Sequence, residues 1–183
     1  MSEELSDQKI SINTIIHNAI NEYKFNGEQR KKIDEIGWQD FQNQIETSQK
    51  GFLNLINVFT PNMIKNQFGR LITVGTNLFQ NPVVPYHDYI AAKGGLLSLT
   101  RTAAIDLGPF NITVNMISGG LLKITDASKE TPEEVFDYIK NITPLRKVTT
   151  TDDFSDAVLF FASPWSRAVT GQNLIVDGGL VLN

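Results

Sequence analysis

The segment Tyr89-Ile-Ala-Ala-Lys93 places a phenol and an ammonium group four residues apart, on one face of a helix. That spacing has a chemical use. A free tyrosine loses its proton near pH ~10, too high for easy proton exchange at neutral pH, and a nearby cation favours the phenolate. Alone the pair says little, because Tyr and Lys meet at this spacing on many solvated helix faces. Its surroundings say more. A third group, the hydroxyl of Thr76, lies thirteen residues before Tyr89, just after the apolar run Gly69-Arg-Leu-Ile-Thr-Val. Asn115 closes a further apolar run, followed by Ser118-Gly119-Gly120. The chain ends near Thr170-Gly-Gln-Asn-Leu-Ile-Val-Asp-Gly-Gly179.

Several elements are needed to hold these groups. A β-branched strand spans Ile10 to Ile16, closed by His17-Asn18. The charged stretch from Asn21 to Glu35, with Arg30-Lys31-Lys32, reads as a surface loop or loose helix with the basic run on a solvated face. From Trp38 to Asn66 apolar residues recur at helical spacing (Trp38, Phe41, Ile45, Phe52, Leu55, Phe59, Met63), predicting one long helix kinked at Pro61. Leu71 to Val74 is a buried strand. Asn77 to Tyr86 is a loop held irregular by Pro82 and Pro85. His87 to Leu107 is helical, and Ile112 to Ile117 is a strand. Thr131-Pro132-Glu133-Glu134 starts a helix with Thr131 as N-cap. Asp152 to Ala162 is a helix and Asn173 to Val176 the last strand.

Short apolar strands alternating with helices predict an α/β fold, a parallel sheet covered by helices on both faces. No linker divides the chain, so residues 1–183 read as a single domain.

Composition narrows the function classes. With 16 basic and 20 acidic residues and a net charge of −4, there is no basic footprint for nucleic acid or an anionic membrane. No apolar run approaches the roughly 20 residues of a membrane span. The acidic, polar start from Met1 to Lys9 is unlike a signal peptide. Cysteine is absent, and the two histidines, His17 and His87, are too far apart to suggest zinc. The expectation is a cytoplasmic globular protein with no metal site.

Taken together and in order, these motifs resemble the short-chain dehydrogenases/reductases, in particular 3-oxoacyl-thioester reductases, over almost the whole chain from about Ile10 to Gly179. The resemblance implies a Rossmann-like fold and a role for each residue. Tyr89 matches the general acid that protonates a carbonyl oxygen as hydride arrives. Lys93 matches the lysine that holds the nicotinamide ribose and lowers the tyrosine pKa. Thr76 stands where the family usually has a serine that bonds the substrate carbonyl. Ser48 stands where many members have an asparagine supporting a proton-relay water, a role serine cannot duplicate. Asn18 and Ala19 fall in a strand-end motif, Asn-Asn-Ala-Gly in the family, in which His17 and Ile20 replace the first Asn and the Gly. Gly119 and Gly120 stand where Pro-Gly begins the nicotinamide-side loop, and Thr125 falls one position off a threonine near the carboxamide. Tyr86 and His87 lie near this site and read either as its entrance or as loop surface. Lys123 to Thr131 reads as a lid or as a variable loop.

The same resemblance exposes a departure. The family's opening strand and its Thr-Gly-x-x-x-Gly-x-Gly turn, which seats the pyrophosphate on a helix N-terminus, have no match here. Nine residues precede the first strand, where a βαβ unit needs roughly 30. The expectation is therefore a partial Rossmann-like sheet missing the first strands, with an exposed sheet edge. Cofactor choice between NAD and NADP cannot be read. Two functions follow: an NAD(P)-dependent oxidoreductase acting on a carbonyl or secondary alcohol, such as a 3-oxoacyl thioester, or a truncated, non-catalytic remnant that folds by associating with itself or an intact relative. By analogy the family packs its long helices into a homodimer or homotetramer.

Overall fold

The computed structural model describes residues 11–21 and 23–182. Ile10, where the first strand was expected to open, lies outside them.

Strands β1 (Thr14–His17), β2 (Gly69–Thr76), β3 (Ile112–Gly119) and β4 (Asn173–Val176) form one four-stranded sheet in the order β1-β2-β3-β4, every pairing parallel. Parallel neighbours demand crossovers, and helices supply them. Between β1 and β2 run α1 (Trp38–Ile45) and α2 (Gly51–Asn66); α3 (His87–Leu107) joins β2 to β3; α4 (Glu133–Ile142) and α5 (Thr151–Ala162) precede β4.

Alternation along the strands assigns the faces. Ile15, Leu71, Val114 and Met116 point to one side, where they pack with Phe52 and Met63 of α2 and Leu96, Ala103 and Ala104 of α3. Ile72 and Ile117 point to the other side, against Phe161, Phe154 and Val158 of α5. The predicted two-sided α/β sheet is what forms. Both faces are apolar in the middle of the sheet, which is why β2 and β3 are buried along almost their whole length.

Side chains of β3 fill the space over Gly75 of β2. A Cβ on Gly75 would lie 2.5 Å from both Met116 Sδ and Ser118 Oγ. The glycine is what lets these two residues fill that space.

Several boundaries differ from expectation. The helix expected from Trp38 to Asn66 is interrupted not at Pro61 but at Glu46–Lys50, a single π turn in which Gly51 N–H bonds Glu46 O. Pro61 sits inside the continuous helix α2. Trp38, predicted to join the apolar stripe, is 67% exposed and stacks on Phe41. Strand β3 continues past Ile117, so Ser118 and Gly119 are ladder residues rather than a turn.

The helix caps show a similar exchange. Pro132, not Thr131, is the N-cap of α4, with no side-chain capping bond. Thr131 N–H is instead engaged by Ser128 O in the preceding turn. The reciprocal capping box forms at α5, where Thr150 Oγ1 accepts from Asp153 N–H and Asp153 Oδ2 accepts from Thr150 N–H at 2.9 Å.

The edge of the sheet at β1 is the expected weak place. Ile16, on the face that α1 and α2 do not cover, is 48% exposed, and Ile20 just beyond the strand is 44% exposed. Among the described residues no helix is long and apolar enough to cross a membrane.

Candidate active site

Parallel strands all end on one side, and that side collects the polar groups. The ladder register places Thr76 beside Gly119, and Gly119 beside Val176. Gly120 and Asp177 follow immediately. Asn18 and Ala19 are exposed just beyond β1 on the same edge.

Tyr89 and Lys93 come to this edge because α3 begins there, running antiparallel to the strands it covers. The Thr76 hydroxyl lies close enough to the Tyr89 phenol to favour its ionised form. Thr76 Oγ1 accepts the Leu78 N–H at 3.2 Å, so the same hydroxyl caps the turn after β2. Lys93 donates to Val74 O at 2.7 Å, and its Nζ lies 5.9 Å from the centroid of the Tyr89 ring. The structure therefore brings Thr76, Tyr89 and Lys93 together.

Their electrostatics differ from the expectation. Burial pushes the Tyr89 phenol up to about 12, with the Thr76 hydroxyl opposing the rise. Burial also pulls the Lys93 ammonium down to about 8. Lys93 was expected to lower the tyrosine pKa. Here desolvation dominates both groups, because each is almost wholly inside the protein.

Ser48 lies in the π turn and is 1% exposed. Its carbonyl oxygen accepts a 2.8 Å bond from His17 Nε2. His17 is itself buried, stacked on Phe52 with ring centroids 5.7 Å apart, and feels the charge of Lys93. The carbonyl at the position assigned to a relay water is thus bonded to an imidazole.

Thr125 is the one cofactor candidate drawn into a local motif. Its Oγ1 lies 2.8 Å from Ser128 Oγ and accepts the Ser128 N–H, closing the turn after the exposed Ile124. Lys123 N–H bonds Thr149 O, which ties the start of the expected lid segment down.

Asn115 and Asp177-Gly178-Gly179 read from the sequence as structural turn residues shaping the cofactor wall. Asp177 accepts from Asn77 Nδ2 at 2.9 Å, from Gly179 N–H at 3.0 Å and from Val181 N–H at 3.0 Å. It thereby binds the end of β4 to the turn after β2. Gly178 and Gly179 have φ of +72° and +85°, which only glycine adopts without strain. Asn115 does comparable work inside the sheet, donating to Val169 O at 2.8 Å and accepting from Gln172 N–H at 3.0 Å.

A second group of residues lies directly on Tyr89. Tyr23 stacks on it at 5.6 Å between centroids, and Phe25 meets it edge-on at 5.2 Å. Tyr86 completes the cluster, 6% exposed, so it is neither loop surface nor an open entrance. Arg30, expected on a solvated face, donates to Pro85 O at 3.2 Å with only 13% of its side chain exposed. The signal was present in the sequence as two aromatic residues at alternate positions within a charged stretch.

The donor set suits the nicotinamide-ribose end of a dinucleotide. Lys93 has one donor committed to Val74 O and two remaining, beside a phenol and a hydroxyl at the carboxyl edge of a parallel sheet. No residue run within the chain matches the glycine-rich pyrophosphate turn.

Comparison with known proteins agrees with this geometry. The family model described as "Enoyl-(Acyl carrier protein) reductase" matches residues 1–181. A 3-oxoacyl-[acyl-carrier-protein] reductase of Staphylococcus epidermidis is 30% identical over 182 residues, which cover 100% of this chain and 72% of that protein. The crystal structure of a 3-oxoacyl-[acyl-carrier protein] reductase from Brucella melitensis superposes with a TM-score of 0.87 at 26% identity, covering 100% of this chain and 68% of that one. A second structure from the same organism, a 3-oxoacyl-[acyl-carrier protein] reductase with bound NAD, gives a TM-score of 0.83 at 26% identity, over 100% of this chain and 67% of the other. A four-stranded parallel sheet, a Tyr-x-x-x-Lys helix crossing its carboxyl edge and these likenesses lead to one assignment: the chain belongs to the short-chain dehydrogenase/reductase family.

Proposed function

We propose that this protein is an NAD(P)H-dependent reductase of a carbonyl group, with a 3-oxoacyl thioester as the substrate class. The observation that carries the reading is the convergence of the Thr76 hydroxyl, the Tyr89 phenol and the Lys93 ammonium at the carboxyl edge of the sheet. Similarity to 3-oxoacyl-[acyl-carrier-protein] reductases supports the substrate class.

The Tyr89 phenol suits proton delivery to a carbonyl oxygen that is being reduced. A phenol pushed up to about 12 is fully protonated at neutral pH. It is a competent acid toward an alkoxide-like oxygen, which is far more basic than a phenolate. A carbonyl oxygen placed between Thr76 and Tyr89 would receive a hydrogen bond from the hydroxyl and a proton from the phenol. Bound NAD(P)H supplies the hydride. Lys93 would hold the ribose hydroxyls with its two remaining donors, while Asn18, Ala19, Gly119 and Gly120 would border the nicotinamide side and Thr125 would stand farther along the same loop.

The reading is tested by titrating the purified chain with NADPH and with NADH in a calorimeter. Saturable binding of one dinucleotide is expected, weakened roughly 10- to 100-fold by Lys93→Met, the loss of charge-assisted hydrogen bonds. Absence of saturable binding by both would overturn it.

A second reading is favoured by the exposed apolar residues Ile16 and Ile20 at the β1 edge. An open strand edge bordered by isoleucines suits association with a second copy or with a related chain. Light scattering across a concentration series checks it: a dimer or tetramer is expected, and a monomer at every concentration would count against it.

A further inference from the structure

The segment Tyr23–Arg30 has one turn of regular structure, the 3-10 turn Gly27–Gln29. Its side chains alternate: Tyr23 and Phe25 turn inward, Lys24 and Asn26 outward. The inward pair lies on Tyr89, with ring centroids at 5.6 and 5.2 Å, and also on Tyr86, at 5.8 and 5.4 Å.

Three hydrogen bonds fasten the segment to the start of α3 and the two residues before it. Tyr23 donates to Asp88 Oδ1 at 2.8 Å, Gly27 N–H donates to Tyr86 Oη at 2.8 Å, and Arg30 Nε donates to Pro85 O at 3.2 Å. The first of these has a carboxylate as acceptor, the strong kind of hydrogen bond. Asp88 is buried in the first turn of α3.

The outcome is that Tyr89 is only 9% exposed. A carbonyl oxygen must approach to roughly 3 Å of the phenol oxygen for proton transfer. The aromatic faces of Tyr23 and Phe25 occupy the space over its ring. These contacts are few and made by side chains, whereas α3 is held by backbone bonds and core packing. The segment is therefore a unit that can open while the sheet stays folded.

We infer that Tyr23–Arg30 is a hinged cover over Tyr89, fastened by Tyr23 to Asp88 and by Gly27 to Tyr86, which must lift before a carbonyl substrate reaches the phenol. The inference rests on the reductase reading for the identity of the substrate, but the cover itself is defined without it.

Two measurements on the full chain test it. Native-state hydrogen exchange reads the opening: the Gly27 amide is expected to exchange at least about 100-fold faster than the amides of α3. Exchange of both only through global unfolding would overturn the inference. Hydroxyl-radical footprinting reads the covering, with Tyr138, 62% exposed, as the internal reference. In the unmodified protein Tyr89 should react about tenfold more slowly than Tyr138, and Tyr23→Ala/Phe25→Ala should close that gap. Arg30→Ala, which leaves every ring in place, should raise Tyr89 reactivity in the same direction and guards against misfolding of the double variant. Tyr89 as unreactive in both variants as in the unmodified protein would overturn the cover. A reactive Tyr89 in variants that reduce no carbonyl compound would leave the cover standing and count against the reductase reading.

Discussion

The imidazole of His17 bonds through Nε2 to the carbonyl oxygen of Ser48 at 2.8 Å, joining the end of β1 to the π turn that precedes α2. A carbonyl only accepts, so Nε2 carries the proton in this bond. Gly51 makes room for it: a Cβ there would lie 3.2 Å from His17 Cε1. His17 also feels the charge of Lys93.

Burial lowers the His17 pKa from its ordinary 6.5, the Ser48 bond and the charge of Lys93 being smaller influences. On acidification the unfolded chain takes up this proton first. Stability contributed by neutral His17 is thus lost as pH falls below about 6.5 toward the folded-state value. Urea midpoints at about pH 7.5 and pH 5.5 should differ by a component that disappears in His17→Gln. His17→Ala should cost about 1–3 kcal/mol at neutral pH, since it leaves a buried carbonyl without its donor.

Lys93 gives a prediction of the opposite range. Its folded-state pKa is pulled from 10.5 to about 8 by burial, so between these values the unfolded chain holds the proton and the folded chain does not. Stability should therefore rise as pH increases from about 8 toward 10, and the rise should be missing in Lys93→Met. The penalty relieved is on the order of 3 kcal/mol, from the size of the shift. Above about pH 10 the Tyr89 phenol, raised from 10.0 to about 12, reverses the trend because the unfolded chain then loses its proton first. Thermal denaturation of the two proteins across this range checks both signs.

Asp177 ties three donors, one of them the buried side chain of Asn77. Asp177→Ala should destabilise the protein by about 2–4 kcal/mol, as several hydrogen bonds to a charged group are lost together. Asn77→Ala should cost less, and the double variant less than the sum of the two. A double-mutant cycle by chemical denaturation reads the coupling, and simple additivity would mean that the two residues act independently.

Much of this arrangement was legible in the residues. The helix His87–Leu107 and the strand Asn173–Val176 form with the bounds that proline, glycine and apolar periodicity predict. The spacing of Thr76, Tyr89 and Lys93 pointed to one site because strand ends and a crossing helix are local features of a βαβ unit. The π turn was not legible, and the bond made at it is tertiary: His17, thirty-one residues away, bonds Ser48 O. The same holds for Tyr23 and Phe25, whose inward direction depends on Tyr86 and Tyr89 sixty residues later. The sign of the Tyr89 shift also escaped the sequence, which shows a cation at four-residue spacing but not the burial that outweighs it. Thr131 carried a capping signature without a helix start at the right distance, whereas Thr150 and Asp153 had both.

The central claim is that Tyr89 delivers a proton to a substrate carbonyl. The most direct measurement follows the loss of reduced-nicotinamide absorbance when the purified chain is mixed with a 3-oxoacyl thioester and NADPH or NADH, in parallel with Tyr89→Phe. The account predicts thioester-dependent oxidation of the cofactor, with kcat/KM reduced by about 10²- to 10⁴-fold in Tyr89→Phe while the circular dichroism spectrum is unchanged. Equal rates for the two proteins, or no thioester-dependent oxidation in either, would contradict it.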